Sequence, residues 1–174
     1  MRLRQTGWIV AAAIVVLVVT KIQAQAPAAK RPATQPAKQG ADGTLKFLAV
    51  DADVQGQKAR IEKKGNNPHN IGYWTNKDDK AVWHGTVEKG GKFAVEVEYS
   101  LDKRAEGAEY VIELNDKSIH VRPQVTGTWL DFKTIGVGEV ELPAGKLKLV
   151  VRGEKKPGQA VLDLRGVALK PAGG

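Results

Sequence analysis

Short runs of alternating apolar and polar residues, separated by turn-forming clusters, fill the chain from Leu45 onward. Phe93, Val95 and Val97 alternate with Ala94, Glu96 and Glu98; Tyr110, Ile112 and Leu114 alternate with Val111, Glu113 and Asn115. Leu147, Leu149 and Val151 alternate with Lys148, Val150 and Arg152, and Val161 to Leu169 reads as a last strand. A period of two sends one set of side chains to a core and the other to water, as in half-buried strands. Lys89-Gly90-Gly91, Asn115-Asp116-Lys117 and Pro143-Ala144-Gly145 supply turn chemistry between the runs. No window carries the 3.6-residue period of an amphipathic helix. Many short strands at regular spacing over about 130 residues predict an all-β domain, a jelly-roll β-sandwich.

The pattern before Leu45 is different. Arg2 and Arg4 precede an unbroken apolar run of 12 residues, Trp8 to Val19, and small residues follow at Ala24 and Ala26. A basic start and an apolar stretch too short to span a bilayer comfortably predict a secretory signal peptide over residues 1–24. Cleavage is expected after Ala24, because cleavage after Ala26 would leave Pro27 at the new N-terminus. The other reading is an uncleaved anchor, the only route by which this protein would contact a membrane. Either way the domain is expected outside the cytoplasm, secreted or periplasmic. Residues 25–43 are rich in Ala and Pro and hold no large apolar residue. Such a stretch buries too little surface to offset its ordering entropy, so it is expected to be a disordered linker ahead of a sandwich over residues 44–172.

Charge and composition narrow the function. The chain has 174 residues and a formal charge of +8, yet residues 1–43 hold six Lys or Arg against Asp42 alone. Residues 44–174 hold 21 Lys or Arg against 18 Asp or Glu, interleaved. A nucleic-acid binder needs a concentrated basic face, which a nearly balanced domain does not provide. With no cysteine, disulfides and thiolate chemistry are excluded.

Three tryptophans fall in the domain. Trp83, in Ala81-Val-Trp-His-Gly-Thr-Val87, reads as core. Trp74 follows Asn70-Ile-Gly-Tyr73 and precedes a polar stretch, and Trp129 follows a Thr-Gly turn in Val125-Thr-Gly-Thr-Trp129. An indole beside a polar loop can offer its face to the C–H side of a sugar ring while nearby polar groups bond the hydroxyls. Each of these rings also has a structural reading, as a cap on the end of the core.

The ordered series Ala49-Val-Asp-Ala52, Asn70-Ile-Gly-Tyr-Trp74, Val82-Trp83, Phe93-Ala-Val-Glu-Val-Glu-Tyr99, Thr126-Gly-Thr-Trp129, Val140-Glu-Leu-Pro-Ala-Gly145 and Leu162-Asp-Leu164 resembles the carbohydrate-binding modules of families 6 and 35. These belong to the galactose-binding-like jelly-roll group, and the resemblance is strongest to copies appended to bacterial sulfatases and fucosidases. It spans residues 45–170. It implies a ligand held between an aromatic at the Ile-Gly-Tyr-Trp position and the Trp of the Thr-Gly-x-Trp turn, completed by a polar residue near the last strand. In this chain those positions are Tyr73 or Trp74, Trp129 and Asp163. The family usually carries Asn where this chain has Asp163, and an ionised carboxylate accepts hydrogen bonds without donating them.

Many such modules also hold a structural Ca²⁺ through acidic residues of the first and last strands, and here those positions are Val50 and Arg165. An apolar and a cationic residue cannot supply the converging oxygens the ion needs, so no metal and no cofactor is expected, with Asp51 and Asp53 read as exposed strand acids. A catalytic reading finds little support. Ser100 and Ser118 lie in no nucleophile elbow, and His69, His84 and His120 show no zinc spacing. Asp78 and Asp79 are neighbours, whereas glycosidase carboxylates face each other across a cleft. The expectation is a non-catalytic module binding a polysaccharide or other glycan, alone or beside an extracellular glycan-degrading enzyme. The alternative is a structural or protein-interaction sandwich of the cell envelope with no sugar ligand.

Overall fold

The computed structural model describes residues 35–63 and 65–173. The expected signal peptide, its cleavage site and the first part of the expected linker lie outside the described residues. In chain order the strands are β1 (Ala37–Lys38), β2 (Leu45–Leu48), β3 (Asp53–Gln55), β4 (Arg60–Glu62), β5 (Asn70–Gly72) and β6 (Lys80–Val87). They continue with β7 (Gly91–Ser100), β8 (Glu109–Leu114), β9 (Lys117–Val121), β10 (Lys133–Leu142), β11 (Gly145–Lys155) and β12 (Asp163–Pro171). Two single 3₁₀ turns, Ala49–Asp51 and Lys103–Ala105, are the only helical pieces among the described residues.

The strands form the two sheets of a β-sandwich. One runs β1-β6-β11-β8-β9, with β3 and β1 sharing the outer edge of β6. The other runs β10-β7-β12-β5-β4, with β2 and β5 sharing one edge of β12. The alternation along the sequence sets which side chains meet between them. Phe93, Val95, Val97 and Tyr99 of β7 are buried, as are Tyr110, Ile112 and Leu114 of β8 and Leu147, Leu149 and Val151 of β11. Each such side chain contributes about 1.5–3 kcal/mol when fully buried. Trp83 is core, as expected, and its Nε1–H donates to the Leu48 carbonyl at 2.8 Å. Tyr99 and Tyr110 meet edge to face with centroids 6.5 Å apart.

The expected turns close the hairpins. Asn115 takes a left-handed backbone (φ 55°), which Asn tolerates better than most residues. Its side chain ties the β8–β9 turn to β11, donating to the Lys146 carbonyl and accepting from Lys148 N–H. Asp79 has the strand-entry role suited to one member of an adjacent pair. Its buried carboxylate accepts backbone N–H bonds from Gln57, Lys58 and Ala59 at 2.7–2.9 Å, pinning the loop that leads into β4. Burial opposes its charge, but those three bonds outweigh it and hold the carboxyl below its ordinary value.

The linker expected through Gly43 needs correction at its end. Ala37–Lys38 pairs in parallel with Gly85–Thr86 of β6. Gln39 Oε1 accepts from the N–H groups of Glu88 and Lys89, and its amide donates to the Gly43 carbonyl. Sheet-edge pairing uses backbone groups and needs no apolar side chain, so a composition poor in large residues does not prevent it.

Candidate functional site

Three pieces of chain meet at one end of the sandwich. The first is the β4–β5 pair, in register as Arg60–Gly72, Ile61–Ile71 and Glu62–Asn70, joined to β12 through Ile71–Leu164. The period of two puts Arg60 and Glu62 on one face of β4, opposite Gly72 and Asn70. Asn70 Nδ2 donates to Glu62 Oε1 at 3.0 Å, and a Cβ on Gly72 would collide with that carboxylate. Only glycine at this position leaves Glu62 room to lie across β5.

Immediately after β5 the chain kinks. Tyr73 has φ 55°, and the Thr75 N–H donates to the Tyr73 carbonyl at 2.7 Å. A non-glycine residue in the left-handed region costs about 1–3 kcal/mol, and this one reverses the facing of the next side chains. In an unbroken strand Tyr73 would share the inward face of buried Ile71. Instead its ring stands out, 52% exposed, and Trp74 turns in to complete burial. The expectation that Trp74 faces a ligand is therefore corrected. Its Nε1–H donates to the Asp79 carbonyl at 3.1 Å inside the core, and no face of the indole is open to stack on anything.

The second piece is the loop carrying Trp129. Thr126 locks it to the end of β7, its Oγ1 accepting Leu101 N–H at 2.8 Å and its own N–H donating to the Leu101 carbonyl at 2.9 Å. Gly127 then takes φ 140°, and a Cβ there would run into Asp131. Asp131 Oδ2 receives both the N–H and the hydroxyl of Thr128, at 2.6 and 2.8 Å, which closes the turn under Trp129. These bonds, the backbone one foremost, hold the Asp131 carboxyl below its ordinary value. The turn thus gains stability above the unfolded carboxylate pKa near 3.9 and loses it as pH falls through the lower folded value. Acidification below about pH 4 is expected to change tryptophan fluorescence before global unfolding, and Asp131→Asn to shrink that step; an unchanged step would show that another group loosens the turn.

The third piece is the start of β12. Asp163 sits opposite Ser100 in the β12–β7 pairing, and Ser100 Oγ donates to the Trp129 carbonyl at 3.0 Å. That link sets Trp129 beside Asp163, although 34 positions separate them. The segment before β12 is held in turn by Val161 N–H donating to the Trp74 carbonyl at 2.9 Å.

Together these pieces enclose a cavity of about 290 Å³. Tyr73 and Trp129 supply its aromatic walls, Glu62 and Asp163 its carboxylates, and Thr75, Gln159 and Ala160 the rest. Asp163 is almost fully buried and Trp129 half-buried against the core. Of the four residues expected from sequence, Tyr73, Trp129 and Asp163 come together here and Trp74 does not. Glu62, Thr75 and Gln159 went unnoticed in the sequence. The strand pairing across residues 63–69 is what delivers Glu62, and no periodicity announces a three-residue strand.

Neither expected calcium position carries a carboxylate. Val50 is exposed, and Arg165 bonds Glu98 at 2.9 Å while its guanidinium lies 3.7 Å over the Phe132 ring. Among the described residues no three His, Asp or Glu side chains gather as a metal ion would require. The expected result is the same melting midpoint with and without a chelator, whereas a large drop in chelator would reveal a stabilising ion.

No protein-family model matches the sequence, and no curated protein does. Solved structures do match. The Podospora anserina β-(1,4)-mannanase, which pairs a family 26 glycoside hydrolase with a family 35 carbohydrate-binding module, aligns over 76% of this chain at 17% identity and a TM-score of 0.61. The match spans only 28% of that chain. The C-terminal family 6 module of a marine laminarinase from Zobellia galactanivorans aligns over 73% of this chain and 98% of its own, at 17% identity and a TM-score of 0.60. A family 35 module from Clostridium thermocellum aligns over 74% and 98%, at 16% identity and a TM-score of 0.59. At such identities what is common is the architecture, and the domain has the β-sandwich fold of the family 6 and family 35 carbohydrate-binding modules.

Proposed function

We propose that this protein is an exported, non-catalytic module that binds a glycan in the cavity between Tyr73 and Trp129. The observation that carries the reading is the pairing of two aromatic rings with two carboxylates around one open cavity. A pyranose stacks its C–H face on an aromatic ring while its hydroxyls donate to carboxylate oxygens, and the cavity presents both. Its volume, about 290 Å³, lies at the small end of ligand sites and suits one or two sugar residues. The fold adds support, since a Cellvibrio mixtus lichenase module of like architecture was solved with cellotriose. Export rests on the basic and apolar leader, which favours a secreted or periplasmic protein. A glycan-degrading enzyme nearby would profit from the raised local concentration that such a tether provides.

The non-catalytic reading is supported by the fold, since the solved structures matched over nearly their whole length are carbohydrate-binding modules. The two carboxylates of the cavity, Glu62 and Asp163, are what an assay for catalysis must test. A sandwich without a sugar ligand would account for the kink at Tyr73 through the burial of Trp74, but not for the gathering of two aromatic rings and two carboxylates around one cavity. The test is retention of the purified protein in affinity gels containing laminarin, β-1,4-mannan or other polysaccharides, followed by assay for released reducing ends. Retention without release is expected; release would make it an enzyme, and no retention on any glycan would remove the reading.

A further inference from the structure

One face of the ring that stands out at the cavity rim is covered by a cation. The Arg60 guanidinium carbon lies 3.5 Å from the centroid of the Tyr73 ring, within cation–π range. Arg60 is itself exposed and is not among the residues that line the cavity, whereas Tyr73 is. The two residues reach each other because Arg60 pairs with Gly72, the residue before Tyr73, and glycine offers no side chain to stand between them. Tyr73 needs such support. Its left-handed backbone turns the ring out of the core, so no packing on both faces fixes its torsions.

We infer that Arg60 is a positioning residue of the binding site: by stacking on one face of Tyr73 it holds the ring upright and leaves a single face for a sugar. This rests on the reading of the cavity as a glycan site. A side chain already ordered before the ligand arrives need not lose rotamer freedom on binding, and that saving appears as affinity. Stacking also closes that face, so two sugar rings cannot clasp Tyr73 from both sides. The short strand β4 thereby acts twice at the site, through Glu62 on the cavity and through Arg60 on the ring.

The test is a mutant cycle on the purified full chain, with binding to cellotriose, laminarin, β-1,4-mannan and β-1,3-galactotriose measured by titration calorimetry. Arg60→Met keeps the length of the side chain and removes its charge. It is expected to weaken binding of whichever probe the wild type takes by about two- to five-fold, the worth of an exposed cation–π contact. Arg60→Lys should restore most of that loss. In a Tyr73→Ala background Arg60→Met should change nothing further, because the effect passes through the ring. Wild-type affinity in Arg60→Met overturns the inference. So does a loss of equal size in the Tyr73→Ala background, which would mean that Arg60 touches the ligand or supports the fold directly. Both leave the glycan site standing if Trp129→Ala still loses binding. A wild type that binds none of the four probes overturns the inference together with the reading it rests on.

Discussion

Trp129→Ala is expected to abolish retention on whichever glycan the wild-type protein binds, while the domain stays folded. Trp129 is the larger of the two rings on the cavity, and its backbone is fixed at both ends of the turn by Ser100, Thr126 and Asp131. A large aromatic anchor in a desolvated contact is commonly worth 2 kcal/mol or more, about thirty-fold in affinity. A small cavity with one stacking wall removed retains only hydrogen bonds that water can replace. Some stability will be lost as well, because the indole is half-buried against the core. Only the buried part of the ring contributes to that loss, so a melting midpoint a few degrees below wild type is compatible with a functional role. Affinity electrophoresis and thermal melting on the same sample separate the two effects. Equal retention of wild type and variant would remove Trp129 from the site.

Trp74→Ala should do the opposite, collapsing stability with no specific effect on the ligand. The ring is completely buried, and its Nε1–H is the partner of the Asp79 carbonyl. Truncating a buried tryptophan costs about 3–5 kcal/mol through lost burial and the cavity left behind. Against a total stability of about 5–15 kcal/mol that is a large fraction, and the midpoint should fall by on the order of 10–20 °C. Trp74→Phe refills much of the volume but strands the Asp79 carbonyl, so its cost should be intermediate. Since Val161 N–H bonds the Trp74 carbonyl, the backbone under Ala160 is tied to the same place, and binding should weaken only as far as folding does. A Trp74→Ala protein with wild-type stability and lost binding would reverse the assignments of Tyr73 and Trp74.

The Trp74 variant tests one of the places where the order of residues was misleading. Period-two alternation is a property of neighbours along the chain, so the long strands carrying Trp83 and residues 93–97, 110–114, 147–151 and 164–169 were legible, as were the core tryptophan at 83 and the Asn115 turn. So were Tyr73, Trp129 and Asp163 as a set, through their likeness to a known family of modules. The choice between Tyr73 and Trp74 was not legible, because it hangs on a single φ of 55° that reverses the facing at the end of β5. Nor was the contribution of β4. Glu62 reaches the cavity only because Asn70 lies across from it and Gly72 has no Cβ, and Arg60 reaches Tyr73 only through the same register.

Local chemistry therefore specified a half-buried sheet protein with its turns, its core stripes and the aromatics worth watching, since each of these depends on contacts within a few residues. Assembly of the two sheets was needed to turn one ring outward and its neighbour inward, to set Asp163 beside Trp129 through Ser100, and to dock Ala37–Lys38 along β6. All of these rest on hydrogen bonds and close approaches between segments distant in sequence. Pairing register, which no single stretch of sequence encodes, is the quantity that places them.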